Sequence, residues 1–256
     1  MSDLPSALIL AGSRQGAQDP VALAEGVAHK ALVEVAGVPL LARVYAALRA
    51  AGVERIAVAA DAPDVVALAQ ALGAELVPPE SGPSGSVERG FALLGAPMLV
   101  TTADHALLQP EWVEQFVADS PTQADVTVLL ARRDVVESAV PDTRRTWLRF
   151  ADGQWSGCNL FLLATPAAGG AIATWREVEA NRKRPWRIAA RLGPRVLWDY
   201  ARGKLTLGAA IARLGRRIGI DAAAVPARNG LAAVDVDKVD DLVLVRELVT
   251  RAKPMG

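Results

Sequence analysis

The chain has 256 residues, 52% of them hydrophobic, enough for one α/β domain of ordinary size with a large buried core. Its 28 Lys and Arg balance 28 Asp and Glu, so net charge gives no general pull toward nucleic acid or membrane, and nucleic acid is not an expected partner. The lone cysteine, Cys158, excludes an internal disulfide framework, and no run of about 18 apolar residues offers a membrane span. The start MSDLPSALILAG lacks the basic residues of a secretory leader. A soluble, cytoplasmic protein is expected.

Ser6 to Ala11 (SALILA) is a short apolar run between Pro5 and Gly12, the pattern of a strand buried on both faces. Gly12 to His29 reads as a long loop. Pro39 to Ala51 has helical spacing, with Leu40, Leu41, Val44 and Leu48 on one face and Gly52 as the stop. A strand over Arg55 to Ala60, a helix over Asp64 to Leu72 and a strand over Glu75 to Val77 follow. Then come the loop Ser81-Gly82-Pro83-Ser84-Gly85, a helix from about Ser86 to Leu94, and a buried strand over Pro97 to Thr101. The next helix covers Glu111 to Ala118 and the next strand Ala124 to Ala131.

Strands and helices alternating in this way predict a mostly parallel, Rossmann-like sheet with right-handed crossovers. After residue 131 the rhythm breaks. Thr146 to Leu163 reads as antiparallel strands around Asp152-Gly153, and Ala167 to Arg217 as helical without a clear strand. Leu231 to Val236 is expected to return as a strand, and Val239 to Ala252 to close the chain as a helix. The expectation is a single domain over residues 1–256, with a basic helical elaboration at about 165–218.

The opening strand runs into Leu10-Ala11-Gly12-Ser13-Arg14-Gln15-Gly16, followed by His29-Lys30 and by Gly37-Val38-Pro39-Leu40-Leu41. Ligands of open parallel sheets bind beyond the carboxyl ends of strands. A glycine loop there lets backbone N–H groups approach phosphate oxygens, and Arg14 and Lys30 supply positive charge for a triphosphate. A tight turn with two solvated basic residues is the plainer alternative, and the ordered set of residues disfavours it.

With these residues in place, the chain resembles the nucleotidyltransferases related to molybdenum-cofactor guanylyltransferase, whose opening pattern is LAGG-x-S-x-R-M-G, then Lys, then Gly-x-Pro-Leu-Leu. The resemblance implies a glycosyltransferase-A-type α/β/α sandwich. It also implies attack by a phosphorylated acceptor on the α-phosphate of an NTP, with pyrophosphate leaving. Two departures matter: the second glycine is missing, so Arg14 directly follows Ser13, and thirteen residues separate Gly16 from Lys30. The reaction class therefore carries over, but the relative's acceptor does not.

Further roles follow from the resemblance. Leu10, Ala11, Gly12, Ser13 and Gly16 would hold the nucleotide, with Lys30, Arg14 and Asp104 as catalytic groups. Ser84, Gly85, Ser86 and Val87 match the base-binding segment, although a serine after a turn is also a common helix cap. CTP or GTP is the expected NTP. Asp104, in Thr101-Thr102-Ala103-Asp104-His105, matches the metal aspartate, and its position just past a buried strand suits Mg²⁺ bound by one or two carboxylates and phosphate oxygens. His105 is read as a loop or ligand contact and not as a metal ligand. Asp235 is assigned to the metal and Asp237 to the cap of the last helix, with either within reach of the ion. Gly157 and Asn159 resemble an acceptor-side segment.

Two rivals stand beside this reading. One is a glycosyltransferase of the same fold, disfavoured because Thr-Ala-Asp-His replaces Asp-x-Asp. The other is a non-catalytic nucleotide-binding protein. Arg176 to Arg195 is rich in Lys and Arg and is flanked or interrupted by Trp175, Trp186 and Trp198. It reads first as a solvated basic face with tryptophans in the core, and second as a peripheral contact with an anionic membrane or acceptor.

Overall fold

The computed structural model describes residues 4–12, 18–80, 82–141, 143, 145–180 and 193–252. The strands are β1 (Ser6–Leu10), β2 (Glu34–Val35), β3 (Val38–Pro39), β4 (Ile56–Ala59), β5 (Glu75–Val77), β6 (Met98–Thr102), β7 (Val126–Arg132), β8 (Leu148–Phe150), β9 (Gly153–Leu163) and β10 (Ala222–Pro226). The helices are α1 (Pro20–Glu25), α2 (Leu40–Ala50), α3 (Pro63–Ala71), α4 (Pro83–Leu94), α5 (Pro110–Asp119) and α6 (Arg133–Ala139), then α7 (Gly169–Ala180), α8 (Pro194–Ala201), α9 (Leu207–Arg217) and α10 (Val239–Ala252). Among these residues no helix is long and apolar enough to cross a membrane.

An eight-stranded sheet runs in the order β10-β7-β9-β6-β1-β4-β5, with β8 paired to β9, while β2 and β3 form a separate ribbon. β1 lies parallel to β4 on one side and to β6 on the other. Its Ala7, Leu8 and Ile9 are fully buried, as a central strand covered on both faces requires. One layer packs Leu41, Val44, Leu48, Val65 and Phe116 from α2, α3 and α5 against the sheet. The opposite layer packs Val87 and Leu94 of α4 and Ile172 of α7 against Leu8, Met98 and Val100. Helices on both faces of a mostly parallel sheet make an α/β/α sandwich, as expected.

Because the chain goes first to β4 and later to β6 on the other flank of β1, the loops leaving β1 and β6 diverge. This reversal opens a crevice at the carboxyl ends of those strands. The Ala103 N–H still donates to Leu10 O at 3.0 Å, so the two loops start side by side.

Three sequence expectations change. The long loop before His29 contains α1, with Asp19 accepting from the N–H groups of Val21 and Ala22 at 2.9 and 3.2 Å. Leu231 to Val236 is not a strand. Gly230–Ala233 forms a 3₁₀ turn capped by Asn229, and the run then meets the β6 loop through the Val236 N–H, which donates to Asp104 O at 3.0 Å. The last parallel strand is β10, paired with β7, whose alanine-rich AAAVP carries little strand propensity to read. Trp198 is not a core residue: it is 63% exposed, with Arg202 over its ring. Trp175 does pack, tilted against Phe161 at 6.1 Å. Ser13, Arg14, Gln15 and Gly16, and the 181–192 part of the basic segment, lie outside the described residues.

A third apolar cluster sits at the site end. Val21 of α1, Leu40, Leu107, Val234, Val236 and Leu242 and Val245 of α10 are buried together. Each such burial contributes about 1.5–3 kcal/mol relative to exposure. Together they press the C-terminal segment against the β6 loop. Gly230 lies under α6, where a Cβ would run into the Val135 carbonyl and Val136 Cα. Overpacking against backbone costs about 1–3 kcal/mol. Gly230→Ala should therefore lower the urea midpoint by that equivalent, whereas Gly157→Ala, with open space around its Cβ position, should leave it nearly unchanged.

Candidate active site

A cavity of about 880 Å³ occupies the crevice, the size range of pockets that take a nucleotide-sized ligand. Leu10, Ala11 and Gly12 from the end of β1, Lys30 from the 3₁₀ turn Lys30–Leu32, and Asp104 from the end of β6 line it. So do Ser86, Asn159, Asp235 and Asp237. Ser84, Gly85, Val87 and Gly157, all predicted site residues, are not among its lining. The structure also brings in residues that the sequence reading missed: Asp19, His29, Asp61, Pro79 and Glu80. Their signal was faint, because each is a single polar or turn residue at the end of an otherwise ordinary element.

Lys30 is the centre of the charge arrangement. Its Nζ lies 2.6 Å from Asp104 Oδ2 and 3.5 Å from Asp237 Oδ1. Burial works against the ammonium charge, but the Asp104 carboxylate, with Asp237 and Asp19, more than offsets it and holds the Lys30 pKa above the ordinary lysine range. Asp104 is further fixed by the Thr102 hydroxyl, which donates to it at 2.5 Å.

Asp235 is held by a second cation. Arg145 donates to its Oδ1 at 2.5 Å, and Asn159 Nδ2 donates to its Oδ2 at 2.8 Å. Burial nonetheless raises the Asp235 pKa, with Asp104 adding to the effect and Arg145 opposing it. Asp237 is likewise raised, first by burial and then by Asp235 and Asp104. Asp241, in the first turn of α10, reaches back to accept from the N–H groups of Asp237 and Lys238 at 3.1 and 2.9 Å, fixing the approach to the helix. The Asp237 carboxylate faces Lys30. Arg145 escaped notice in the sequence because it sits in an arginine pair with no motif around it.

Asn159 reaches Asp235 because the strand is irregular there. β9 pairs Phe161 with Val128 but Gly157 with Leu130, so extra residues bulge out between them. Asn159 takes a positive φ of 49° within that bulge. Asparagine tolerates the left-handed region better than most residues, and bulges re-aim side chains beside active sites.

The serine-rich start of α4 is tied to its own scaffold. Ser84 Oγ donates to Glu179 of α7 at 2.6 Å. Ser86 Oγ accepts from the Glu80 N–H at 3.1 Å and donates to Gly82 O at 3.4 Å. Gly85 is needed for close approach, since a Cβ there would lie 2.6 Å from that of Glu80. These bonds shape the cavity wall at the Pro79–Pro83 side. His105 is fully buried, its Nδ1 3.4 Å from Thr101 Oγ1, and burial pushes its pKa down to about 4. It packs as a neutral group beneath the Asp104 loop.

The donor set facing the cavity is hard oxygen. Among the described residues no three His, Cys, Asp or Glu side chains form a ready metal cluster. Asp104 and Asp237 are instead paired with Lys30, and Asp235 with Arg145. That arrangement fits a cation such as Mg²⁺, which takes one or two protein carboxylates and completes its shell with phosphate oxygens and water.

Cys158, beside Asn159, is buried, and burial pushes its thiol up to about 12. It is therefore a packed thiol and not a nucleophile. In the native protein at pH 8 it should resist iodoacetamide, and in urea it should react fully, with mass spectrometry counting the adduct.

The MobA-like NTP transferase domain model matches residues 7–183 of the chain. Among solved structures, a hypothetical transferase from Thermus thermophilus is 31% identical, with a TM-score of 0.79 over 93% of this chain and 99% of the other. A nucleotidyl transferase from Methanothermobacter thermautotrophicus shares the fold at 20% identity, TM-score 0.60, over 98% of this chain and 100% of its own. A CMP:2-keto-3-deoxy-manno-octonic acid synthetase, solved with CTP, does so at 18% identity, TM-score 0.56, over 99% and 100%. A comparison with proteins of curated function finds no match.

Proposed function

The chain belongs to the MobA-like NTP transferase family, and from that premise we propose that it transfers a nucleoside monophosphate from an NTP to a small phosphomonoester, releasing pyrophosphate. The observation that carries the proposal is the Lys30–Asp104 pair at 2.6 Å, set at the reversal of the sheet in a nucleotide-sized cavity. Lys30 is held charged where a triphosphate would lie, beside a carboxylate suited to a hard cation. An acceptor phosphate is already an anion, so the reaction needs no strong general base, and catalysis comes from positioning and charge neutralisation.

Six carboxylates line the cavity, from Asp19, Asp61, Glu80, Asp104, Asp235 and Asp237. Alone, they would repel a nucleoside triphosphate. This supports a requirement for Mg²⁺, with Asp104 and Asp235 as its protein ligands and Asp237 beside them. A bound Mg²⁺ would supply neutralisation of charge at the α-phosphate and the leaving group. Lys30 would then turn from Asp104 toward the phosphates. Leu10, Ala11 and Gly12 would approach the nucleotide with backbone, joined by Ser13, Arg14 and Gly16. The wall from Pro79 to Ser86 would face the base, with CTP or GTP as the favoured NTP. Asn159 and Arg145, both on Asp235, would stand on the acceptor side.

The decisive experiment sets four NTPs against a phosphomonoester library with Mg²⁺ and reads pyrophosphate. Release with one defined pair is expected. Tight NTP binding without release under any combination would instead support a non-catalytic nucleotide-binding protein. With the productive pair in hand, Lys30→Ala and Asp104→Ala should each lower turnover by about 10²–10³-fold, the usual loss when one preorganised charge partner is removed, while circular dichroism stays native. Asp235→Asn should raise the Mg²⁺ concentration needed for half-maximal rate. An unchanged Mg²⁺ titration would remove Asp235 from the metal site.

A further inference from the structure

His29 carries an unspent hydrogen-bonding group in the cavity wall. The residue is 4% exposed and belongs to the cavity lining. Its Nδ1 accepts from the Ala31 N–H at 3.0 Å, capping the 3₁₀ turn that presents Lys30. An N–H can only donate, so Nδ1 bears no proton and the neutral ring carries its hydrogen on Nε2. That Nε2 is buried and has no partner among the described residues. A buried polar group left unpaired costs about 1–3 kcal/mol, a penalty that a ligand atom would relieve.

The surroundings narrow the ligand chemistry. Burial disfavours the imidazolium, and Asp19 and Asp61 are near enough to pull the other way, with Lys30 repelling. A phosphate oxygen only accepts hydrogen bonds, and beside His29 it would be set against the two carboxylates. A hydroxyl suits the corner better, because one oxygen accepts from an imidazole N–H while its hydrogen goes to a carboxylate. The acceptor's hydroxyls are remote in this arrangement, since Asn159 and Asp235 belong to the β9 side of the cavity and Asp61 follows β4, beyond β1. We propose that the Nε2–H of His29 donates to a ribose hydroxyl of the bound nucleotide, making His29 a specificity residue for ribonucleotides and tying sugar recognition to the turn that positions Lys30. This inference rests on the NTP-transferase reading.

The test uses the full chain, with GTP and CTP and their 2′-deoxy and 3′-deoxy forms as probes, and compares dissociation constants for the native protein and His29→Ser. Serine keeps an oxygen to cap the turn but loses the Nε2 donor. His29→Asn, which also keeps a cap acceptor, serves if the serine variant is not folded by circular dichroism. The native protein should bind the ribonucleotide about tenfold more tightly than one of the two deoxy forms, as the loss of one hydrogen bond to a paired site predicts. In the variant the ribonucleotide should weaken about tenfold while that deoxy form is unchanged, so the ratio falls to near one. A native protein that does not discriminate, or a ratio equal in both proteins, overturns the proposal. So does equal weakening of ribo and deoxy forms, which would place His29 on the phosphates or in the fold alone. If the native protein binds neither GTP nor CTP, ATP and UTP with their deoxy forms take their place, and binding of none of the four overturns the NTP-transferase reading and this proposal with it.

Discussion

The carboxylates at the carboxyl end of the sheet repel one another, and Lys30 and Arg145 hold them together. Asp104 and Asp237 converge on the Lys30 ammonium, while Asp235 is gripped by Arg145 and Asn159. The elements that carry these groups are far apart in the chain: the turn after α1, the end of β6, the bulge in β9 and the segment before α10. Each is brought in by apolar packing behind it. The buried cluster of Val21, Leu40, Leu107, Val236 and Leu242 is the mechanical counterpart of the charge network. Hydrophobic burial supplies the energy, and the ion pairs set the register at which the surfaces meet.

That balance has a functional meaning. Partly buried ion pairs of this kind contribute little net stability, because desolvation offsets attraction. Their value here lies in fixing the positions of the aspartates and in holding Lys30 charged within the cavity. Under the proposed function, a triphosphate with its cation would exchange one set of charge contacts for another. The bulge at Asn159 is a local departure from regular pairing that serves the same point, since a regular strand would alternate the side chain away from Asp235.

Family membership and fold agree with the reading of the opening stretch, although Ser13, Arg14 and Gly16 lie outside the described residues. The long interval before Lys30 has a physical explanation: it accommodates α1, which packs on α10 and so couples the turn bearing Lys30 to the segment bearing Asp235 and Asp237. The serines of α4 divide. Ser86 lines the cavity while its hydroxyl bonds Glu80 and Gly82, and Ser84 lies outside the lining and bonds Glu179.

The sequence by itself determined the sandwich, the order of its parallel strands and of the helices from α2 up to β7, and the placing of Lys30 and Asp104 at strand-end loops. Local periodicity and a loop at a strand end are short-range properties, and short-range properties are written along the chain. Tertiary structure alone decided that Arg145 pairs with Asp235, that Asp237 faces Lys30, that Leu231 to Val236 is a 3₁₀ turn and extended approach, and that His29 lines the cavity with a nitrogen unpartnered among the described residues. The two ion pairs span 90 and 207 residues of chain, and the other two features depend on packing by distant elements. No pattern of neighbours encodes such a contact; the packing that brings the segments together does.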